Sequence, residues 1–328
     1  MTLDLFTENL EEKKPLNRYD LEKMLREMLN SMTLKEFVLI LTNKFTAVID
    51  YYDLMNGDKT SQRTSLLFNP HRLDIKTKTS KYSIFEGMKN DSYISGISRA
   101  IIWKRSYETI RELLYLTIQV GINGIQYINE FPPHVARDLY KQFGLTKNSQ
   151  ILDPCAGWGG RMIGASIVSD NYTCFEPATQ TYEGLIELNK FIHSMNSTFH
   201  PNIYCSCFED SNLQDNYYDF ALTSPPYYDT EEYTDEKTNS LNRYNSFESW
   251  SENFYIPLIE KTMKSIKPNG SFVINIGSRK YPLNSILMSN FENKYEITKL
   301  KDKLKGKEAG IRDNENDGEA FYRIKKGL

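Results

Sequence analysis

The chain divides into two parts that differ in the spacing of their apolar residues. Between residues 20 and 56 the spacing is helical, and one predicted helix face carries Leu21, Met24, Leu25 and Met28. A second helical run, Phe37–Leu41, follows the cap-like Thr33. Residues 57–98 are polar and basic without a clear period, and residues 100–120 again have the spacing of a helix. The pattern therefore predicts a mainly helical N-terminal region.

From about residue 131, helix-like and strand-like runs alternate. Helices are predicted over residues 132–140, 161–169, 182–195 and 249–266. Five strands are predicted between and after them: Gln150–Asp153, Tyr172–Glu176, Asn202–Cys207, Asp219–Thr223 and Ser271–Ile276. Two further strand-like runs, 295–300 and 320–324, are joined by a polar loop, which indicates an antiparallel edge hairpin. The alternation favours an α/β doubly wound sheet over residues 131–328, preceded by a separate region over residues 1–130.

Composition and charge restrict the class of protein. The 328 residues carry a formal net charge of −3 and are 40% hydrophobic, as in ordinary globular domains. No run approaches the ~20 apolar residues that cross a bilayer, and the first residues do not resemble a signal peptide. The four cysteines and four histidines lack metal-ligand spacing. We therefore expect a cytoplasmic protein without a metal site and without a membrane-spanning segment.

One stretch departs from the slightly acidic balance of the chain. Residues 59–82 contain a single acidic residue, Asp74, and six basic ones: Lys59, Arg63, Arg72, Lys76, Lys78 and Lys81. A solvated surface accounts for such a run as readily as a binding site does, but phosphate contacts require a local positive patch of this kind. These six residues are therefore candidate contacts to a nucleic-acid backbone.

A glycine-rich turn, Asp153–Arg161, follows the first predicted strand and opens a helix. Glycines at such a turn let the backbone approach a ligand closely, and the adjacent helix N-terminus can hold a carboxylate. Glu176 ends the next strand, where an acid can accept both hydroxyls of a ribose. Glu209 and Asp210 end the third strand, where a carboxylate can receive the amino group of an adenine. Any one acid could be a solvated strand-end residue, but together they outline a nucleoside-binding crevice.

The second motif, Thr223-Ser224-Pro225-Pro226-Tyr227, directly follows the fourth strand. Two consecutive prolines fix φ and remove two backbone donors, so the carbonyl groups of Ser224 and Pro225 are presented rigidly. A primary amine would find acceptors there, and the ring of Tyr227 offers a surface on which a planar base can stack. A rigid structural turn is the alternative explanation, but it does not explain the flanking serine and tyrosine.

Together the two motifs resemble motifs one and four of the amino-methylating DNA methyltransferases, D-P-F-x-G-x-G and [DNTS]-[PS]-P-P-Y. The resemblance covers residues 131–328 and implies a class I methyltransferase fold with S-adenosylmethionine as the cofactor. It implies cofactor contacts from Asp153, Pro154, Gly157, Gly159, Glu176, Glu209 and Asp210. It further implies that a flipped base is held and methylated at Thr223, Ser224, Pro225, Pro226 and Tyr227. Two residues depart from the family pattern, Cys155 in place of Phe and Trp158 where the family often has Ser. These departures are expected to change how the methionine end of the cofactor is packed, and not whether the cofactor binds.

The expected activity is methylation of an exocyclic amino group of a DNA base by direct displacement. Serine rather than aspartate in the second motif is similar to the cytosine-N4 branch, so cytosine N4 is favoured over adenine N6. RNA methylation of the guanine-N2 type and protein-amide methylation remain alternatives, and a non-catalytic nucleic-acid-binding module is a third. The sequence leaves the target-reading segment open between the N-terminal region and the loop Tyr228–Trp250. Cys155 lies in the cofactor loop, so it is interpreted as a packed residue and not as a nucleophile.

Overall fold

The computed structural model describes residues 17–60, 62–77, 80–102, 130–277, 280–300 and 319–327. The chain forms two compact units. The smaller contains Met1–Leu41 and Thr79–Tyr127, and the larger contains Thr42–Lys78 and Ile128–Leu328. Residues 42–78, which the predicted boundary at residue 130 assigns to the N-terminal region, therefore pack with the unit that contains the sheet.

Helices make up most of the described part of the smaller unit. Their bounds are Arg18–Ser31, Leu34–Leu41, Ile84–Met88 and Asp91–Ile102. The first two agree with the helical spacing, and Thr33 begins the second one through a capping box with Glu36. The helix Ile84–Met88 and most of the helix Asp91–Ile102 lie in the stretch 57–98, where the sequence shows no clear period and predicts no helix. The helix predicted over residues 100–120 lies almost entirely outside the described residues.

The described residues contain nine strands: β1 Lys76–Thr77, β2 Gln150–Asp153, β3 Asn171–Phe175, β4 His200–Tyr204, β5 Tyr218–Thr223, β6 Glu231–Glu232, β7 Ile266–Ile276, β8 Tyr295–Lys299 and β9 Ala320–Lys326. Seven of them, all in the larger unit, form one sheet in the order β4-β3-β2-β5-β7-β9-β8. Strands β4, β3, β2, β5 and β7 are parallel, whereas β9 and β8 are antiparallel. This is the predicted doubly wound sheet with its antiparallel edge hairpin, so the predicted fold class is confirmed.

Helices cover both faces of this sheet. Their bounds are Pro133–Gln142, Gly160–Ser166, Thr179–Met195, Ser240–Arg243, Phe247–Trp250, Ile256–Ser265 and Leu283–Phe291, with one π-helical segment over Ser251–Tyr255. Successive strand residues face opposite sides, so Ile151 packs in one apolar core and Leu152 in the other. The first core lies under the helices that begin at Pro133 and Thr179, and the second lies under those at Ile256 and Leu283.

The segment Thr42–Thr77 is an integral part of the larger unit. Its helix Lys44–Asn56 contributes Tyr51 and Leu54 to the first apolar core. The buried guanidinium of Arg137 donates to the carbonyl group of Leu54 (2.7 Å), in the last turn of that helix, and to those of Gly57 and Asp58, which follow it. Further along, the helix Arg63–Phe68 and a 3-10 turn over Pro70–Asp74 lead to β1, which pairs with β6 in a two-stranded antiparallel sheet. The segment thus reaches the loops at the sheet edge.

Within the described ranges, no helix is both long enough and apolar enough to cross a membrane.

Candidate functional site

Asp153 joins the two sequence motifs at the carboxyl ends of β2 and β5. Its fully buried carboxylate accepts hydrogen bonds from the Nε of Arg161 (2.8 Å), the hydroxyl of Tyr172 (2.6 Å) and the hydroxyl of Thr223 (3.0 Å). The backbone N–H of Cys155 also donates to the hydroxyl of Thr223 (3.2 Å). The glycine loop and the Ser-Pro-Pro-Tyr loop are therefore bonded to each other. The Asp153 carboxylate therefore fixes the two loops relative to each other.

Two glycines of the first motif have positive φ, and each serves a different purpose. Gly159 has φ +90°, and a Cβ there would lie 2.5 Å from Leu188 and 2.8 Å from Leu185, so the close approach of the helix Thr179–Met195 requires glycine. Gly157 has φ +55°, and a Cβ there would meet nothing within 4 Å. The loop therefore presents its backbone to open space at Gly157, whereas Pro154 is buried.

Glu176 lies directly after β3, on the side of the glycine loop. Its carboxylate accepts the backbone N–H groups of Gly157 and Ala178, each at 3.0 Å. Burial raises the pKa of Glu176 to about 7, although both backbone hydrogen bonds act in the opposite direction. The acid predicted to bind a ribose thus lies beside the open face of the loop.

Glu209 and Asp210 lie a few residues beyond the end of β4. The strand ends at Tyr204, earlier than the predicted Cys207, and the two acids belong to a 3-10 turn, Phe208–Asp210. Arg243 binds both: its guanidinium lies 2.8 Å from the Asp210 carboxylate and 3.1 Å from that of Glu209. Sequence reasoning missed Arg243, because no pattern connects a residue of a polar loop with a turn more than thirty positions earlier.

The second motif begins in the sheet and continues at its edge. Thr223 is fully buried as the last residue of β5. The ring of Tyr227 lies close to Gly277, where a Cβ would be 3.3 Å from its Cε2. Burial raises the pKa of the Tyr227 hydroxyl well above its ordinary value; the nearby Glu319 adds to the rise, and a hydrogen bond with Ser224 opposes it. Ser224 and Tyr227 are therefore neighbours across the rigid Pro225-Pro226 step.

Tyr228, which follows the second motif, packs its ring into an aromatic cluster. It has φ +53°, which is uncommon for a residue with a side chain. Its ring centroid lies 5.1 Å from that of Tyr281, 5.6 Å from Phe247 and 5.8 Å from Trp250. The chain just after the second motif is thus packed against aromatic rings from the segments that follow it.

Residues 69–77, which we call the strap, connect the glycine loop with the loop that follows Tyr227. The side-chain amide of Asn69 donates to the carbonyl group of Trp158 (3.1 Å), and Arg72 lies 5.4 Å from the centre of the Trp158 ring. Trp158 also contacts Ile75 and, at 5.9 Å between ring centroids, Tyr233. Because the strap ends in β1, it pairs with β6 beyond the second motif.

The six basic residues of the 59–82 stretch lie in different surroundings. Arg72 is 2% exposed and forms a buried ion pair with Glu130, so its guanidinium cannot reach a phosphate. Arg63 pairs with Asp50 at 2.8 Å. Lys59 and Lys76 are exposed in the larger unit. Lys81 belongs to the smaller unit, where its ammonium lies 5.2 Å from the Tyr82 ring centre, and Lys78 lies outside the described residues.

Neither metal ligation nor a reactive thiol is indicated at this edge of the sheet. Among the described residues, no group of three His, Cys, Asp or Glu side chains could hold a metal ion. Burial raises the pKa of the Cys155 thiol well above its ordinary value, and the nearby Asp153 carboxylate adds to the rise. A thiol in this environment stays protonated and is a poor nucleophile.

Comparison with known proteins found distant structural similarity alone. No protein-family model and no curated protein matches the chain. An rRNA methylase from Streptococcus thermophilus shares 12% identity over 61% of this chain and 99% of that one, with a TM-score of 0.39. A tRNA (m1A58) methyltransferase, TrmI, from Aquifex aeolicus shares 14% identity over 64% of this chain and 76% of that one, with a TM-score of 0.40. A TehB-like SAM-dependent methyltransferase from Corynebacterium glutamicum shares 11% identity over 66% of this chain and 95% of that one, with a TM-score of 0.40. Similarities this distant assign no activity to the chain.

Proposed function

We propose that the chain is an S-adenosylmethionine-dependent methyltransferase that methylates an exocyclic amino group of a nucleic-acid base. One observation carries the proposal: the hydrogen-bonded joint of Asp153, Cys155 and Thr223 holds the glycine loop and the Ser-Pro-Pro-Tyr loop side by side. A cofactor bound along the first loop and a planar amine bound at the second would meet at this joint. Such positioning is a main source of rate enhancement.

The residues at the joint fit the proposed cofactor. Open space at Gly157 leaves room for a ligand against the loop backbone, and the Glu176 carboxylate lies next to it. Glu176 would accept the two ribose hydroxyls, and Asp210, with 59% of its side chain exposed, would accept the adenine amino group. S-adenosylmethionine would supply an activated methyl group there.

At the second loop, the chain's own groups suit an amine. Ser224 and the Pro225 carbonyl group would orient the amino protons, and Tyr227 would replace the stacking partner that a flipped base loses. The backbone of the nucleic acid would contact exposed lysines of the larger unit, Lys59 and Lys76. We propose DNA as the substrate and cytosine N4 as the target, which follows the serine at position 224.

Isotope-labelled methyl transfer tests the proposal. The protein is incubated with deuteromethyl S-adenosylmethionine and unmodified duplex DNA, single-stranded DNA, RNA or protein. The products are hydrolysed and analysed by mass spectrometry. We expect labelled N4-methylcytosine. Ser224→Ala and Tyr227→Ala should lose most of the transfer while binding S-adenosylhomocysteine like the wild type, with Tyr227→Ala weakening base capture by about 1–3 kcal/mol.

The alternatives give different products in the same experiment. Labelled N6-methyladenine would support amino-methylation of DNA but would show that the target base is adenine and not cytosine. Labelled N2-methylguanine in RNA, or a labelled glutamine in protein, would replace the DNA assignment. Binding of S-adenosylhomocysteine without transfer to any acceptor would indicate a non-catalytic module, and absence of that binding would reject the cofactor.

A further inference from the structure

Glu231 lies four residues after Tyr227, on the short strand β6. In the pairing of β6 with β1, Glu231 is opposite Thr77, and Glu232 is opposite Lys76. Because successive strand residues face opposite sides, the two glutamates point in opposite directions. Glu232 is exposed and Glu231 is partly buried. The strap therefore fixes which of the two acids is turned inwards.

The inward carboxyl is held by a second contact. The hydroxyl of Tyr233 donates a hydrogen bond to Oε2 of Glu231. The ring of Tyr233 packs in turn against Trp158 and Ile75, between the glycine loop and the strap. The Glu231 carboxyl is thus positioned by the same residues that connect the two motifs.

The neighbours of Glu231 are acids and phenols. Glu319 and Tyr227 both flank Gly277, where a Cβ would lie 3.2 Å from the Glu319 Cγ and 3.3 Å from the tyrosine ring. Both Glu319 and Glu231 are near enough to raise the pKa of the Tyr227 hydroxyl. Burial, and then the proximity of Glu319, raises the pKa of Glu231 to about 7, although the Tyr233 hydrogen bond acts against the rise.

No lysine or arginine forms an ion pair with Glu231 in the parts of the chain that the structure describes. Lys76, the basic residue of β1, is exposed and lies opposite Glu232 in the strand register. A partly buried carboxyl without a cation, beside a second carboxyl, is unfavourable for folding, and such groups concentrate at functional sites. Glu231 follows the second motif by four residues, and Tyr233 holds its carboxyl next to Trp158 of the glycine loop, so the carboxyl lies near the place where the two motifs meet.

Resting on the proposed function, we propose that Glu231 is the catalytic base that takes the proton released by the target amino group. As the amino nitrogen attacks the methyl carbon, its lone pair forms the N–C bond, and the electrons of the breaking C–S bond stay on sulfur. The nitrogen then carries one proton too many. The Glu231 carboxylate takes that proton, which leaves a neutral methylamino group and a neutral carboxylic acid.

The chemistry of the motif explains why a base is needed from outside it. Residues Thr223–Tyr227 contain no carboxylate, and Tyr227 is a poor base because its hydroxyl stays protonated. The lone pair of an exocyclic amino group is delocalised into the ring, so removal of a proton while the N–C bond forms favours the reaction. A base whose pKa lies near the working pH is best suited to this step. The role of Tyr233 is to position the Glu231 carboxyl.

Substitution of the two neighbouring glutamates tests the inference. Glu231→Gln should lower the maximal rate about 100-fold, which is within the usual range for loss of a general base, with unchanged affinity for S-adenosylhomocysteine. At saturating S-adenosylmethionine, where the pH dependence of cofactor affinity does not contribute, the wild-type rate should rise with pH through about 7 as Glu231 ionises, and this rise should disappear in Glu231→Gln. Glu231→Asp should keep the rise at a lower rate. Glu232→Gln, the matched control on the other face of β6, should behave like the wild type.

An infrared titration gives a reading that is independent of activity. The wild-type minus Glu231→Gln spectrum of the protein alone should show a carboxylic acid band that disappears as the pH rises through about 7. If the wild type is active and Glu231→Gln retains both its rate and its pH dependence, the role of Glu231 is rejected while the proposed function stands. If the wild type transfers no methyl group to any base, the proposed function fails, and this role fails with it.

Discussion

Glu176 shows how burial of a single residue would link cofactor binding to pH. Its carboxyl accepts two backbone N–H groups and yet has its pKa raised to about 7, because burial outweighs both hydrogen bonds. A ribose donates hydrogen bonds to the ionised form, so binding would favour ionisation. If Glu176 binds the ribose as proposed, the protein would release a proton when the cofactor binds below pH 7.

We predict that affinity for S-adenosylhomocysteine rises by up to about tenfold per pH unit between pH 5.5 and 7 and levels off above it. The sign follows from the raised pKa: the acid is protonated below about 7, and the protonated form binds less well. Calorimetry in two buffers with different ionisation enthalpies would measure both the affinity and the proton released. Glu176→Gln should bind more weakly at pH 8 and show little pH dependence. An equally steep dependence in that variant would remove Glu176 from the cofactor site.

The position of a site residue was predictable from the sequence where the residue directly follows a predicted strand. Thr223–Tyr227 follows a strand, and Glu176 follows the next strand after the glycine turn, so both could be placed at one edge of the sheet. Arg243 and the partners of Asp153 were not predictable, because they depend on side chains that meet only after folding. Arg72 was assigned to the surface on its charge alone, whereas Glu130 binds it inside the protein.

At the scale of elements, the strap is the connection between the two loops of the site. It contacts Trp158 through Asn69 and Arg72 at one end and pairs with β6 at the other. The close packing of Asn69 against the helix Thr179–Met195 also depends on Gly184, where a Cβ would lie 2.1 Å from the Asn69 Oδ1. A change in the strap should therefore affect loops that it does not belong to.

We predict that Asn69→Ala lowers affinity for S-adenosylhomocysteine about threefold to tenfold, although Asn69 is not expected to contact it. The substitution removes the hydrogen bonds to the carbonyl groups of Trp158 and Ser65, and each such bond stabilises by roughly 1 kcal/mol. Calorimetry would measure the change. Lys76→Ala, an exposed position on the same strap, is the control and should bind like the wild type. Equal affinities of both variants would show that the strap does not position the glycine loop.

The accuracy of the element predictions followed the strength of the apolar pattern. β2 was predicted with its observed bounds because both of its faces are buried. The edge strand β4 begins two residues and ends three residues earlier than predicted, since its side chains are mostly exposed and give little signal. The helix Arg63–Phe68 was missed because its buried face includes Thr64 and Ser65, and Ser65 donates a hydrogen bond to Glu130. A helix buried partly through polar contacts has no clear apolar period.

For the whole molecule, the proposed substrate requires a positive surface on a chain with net charge −3. The structure restricts which residues of the basic stretch can supply it. Lys59 and Lys76 are exposed in the larger unit, whereas Arg72 is buried. Nucleic-acid backbone contacts by the two lysines are therefore a proposal that the salt dependence of binding can test.

We predict that reversing both lysines, Lys59→Glu with Lys76→Glu, weakens DNA binding and flattens its dependence on salt. Each lost phosphate contact reduces the slope of log affinity against log salt by about 0.9, so the total reduction should approach about 2. Fluorescence anisotropy with a labelled duplex over a range of salt concentrations would measure it. Lys190→Glu with Lys264→Glu, two exposed positions on other helices of the larger unit, changes the net charge by the same four units and is the control for net charge alone. An unchanged slope in the double variant would reject both contacts.

The position of the strap in the chain also has a consequence for biosynthesis. A ribosome makes Asn69 and Ile75 well before it makes Trp158 and Tyr233, their partners in the folded protein. During that interval the apolar residues of the helix Lys44–Asn56 lack the sheet that covers them, and Arg72 lacks Glu130, its partner in the buried ion pair. Nascent chains in this state are exposed to aggregation. A chaperone that holds this segment until the sheet is made should therefore raise the yield of folded protein, whereas a pause in translation during that interval should lower it.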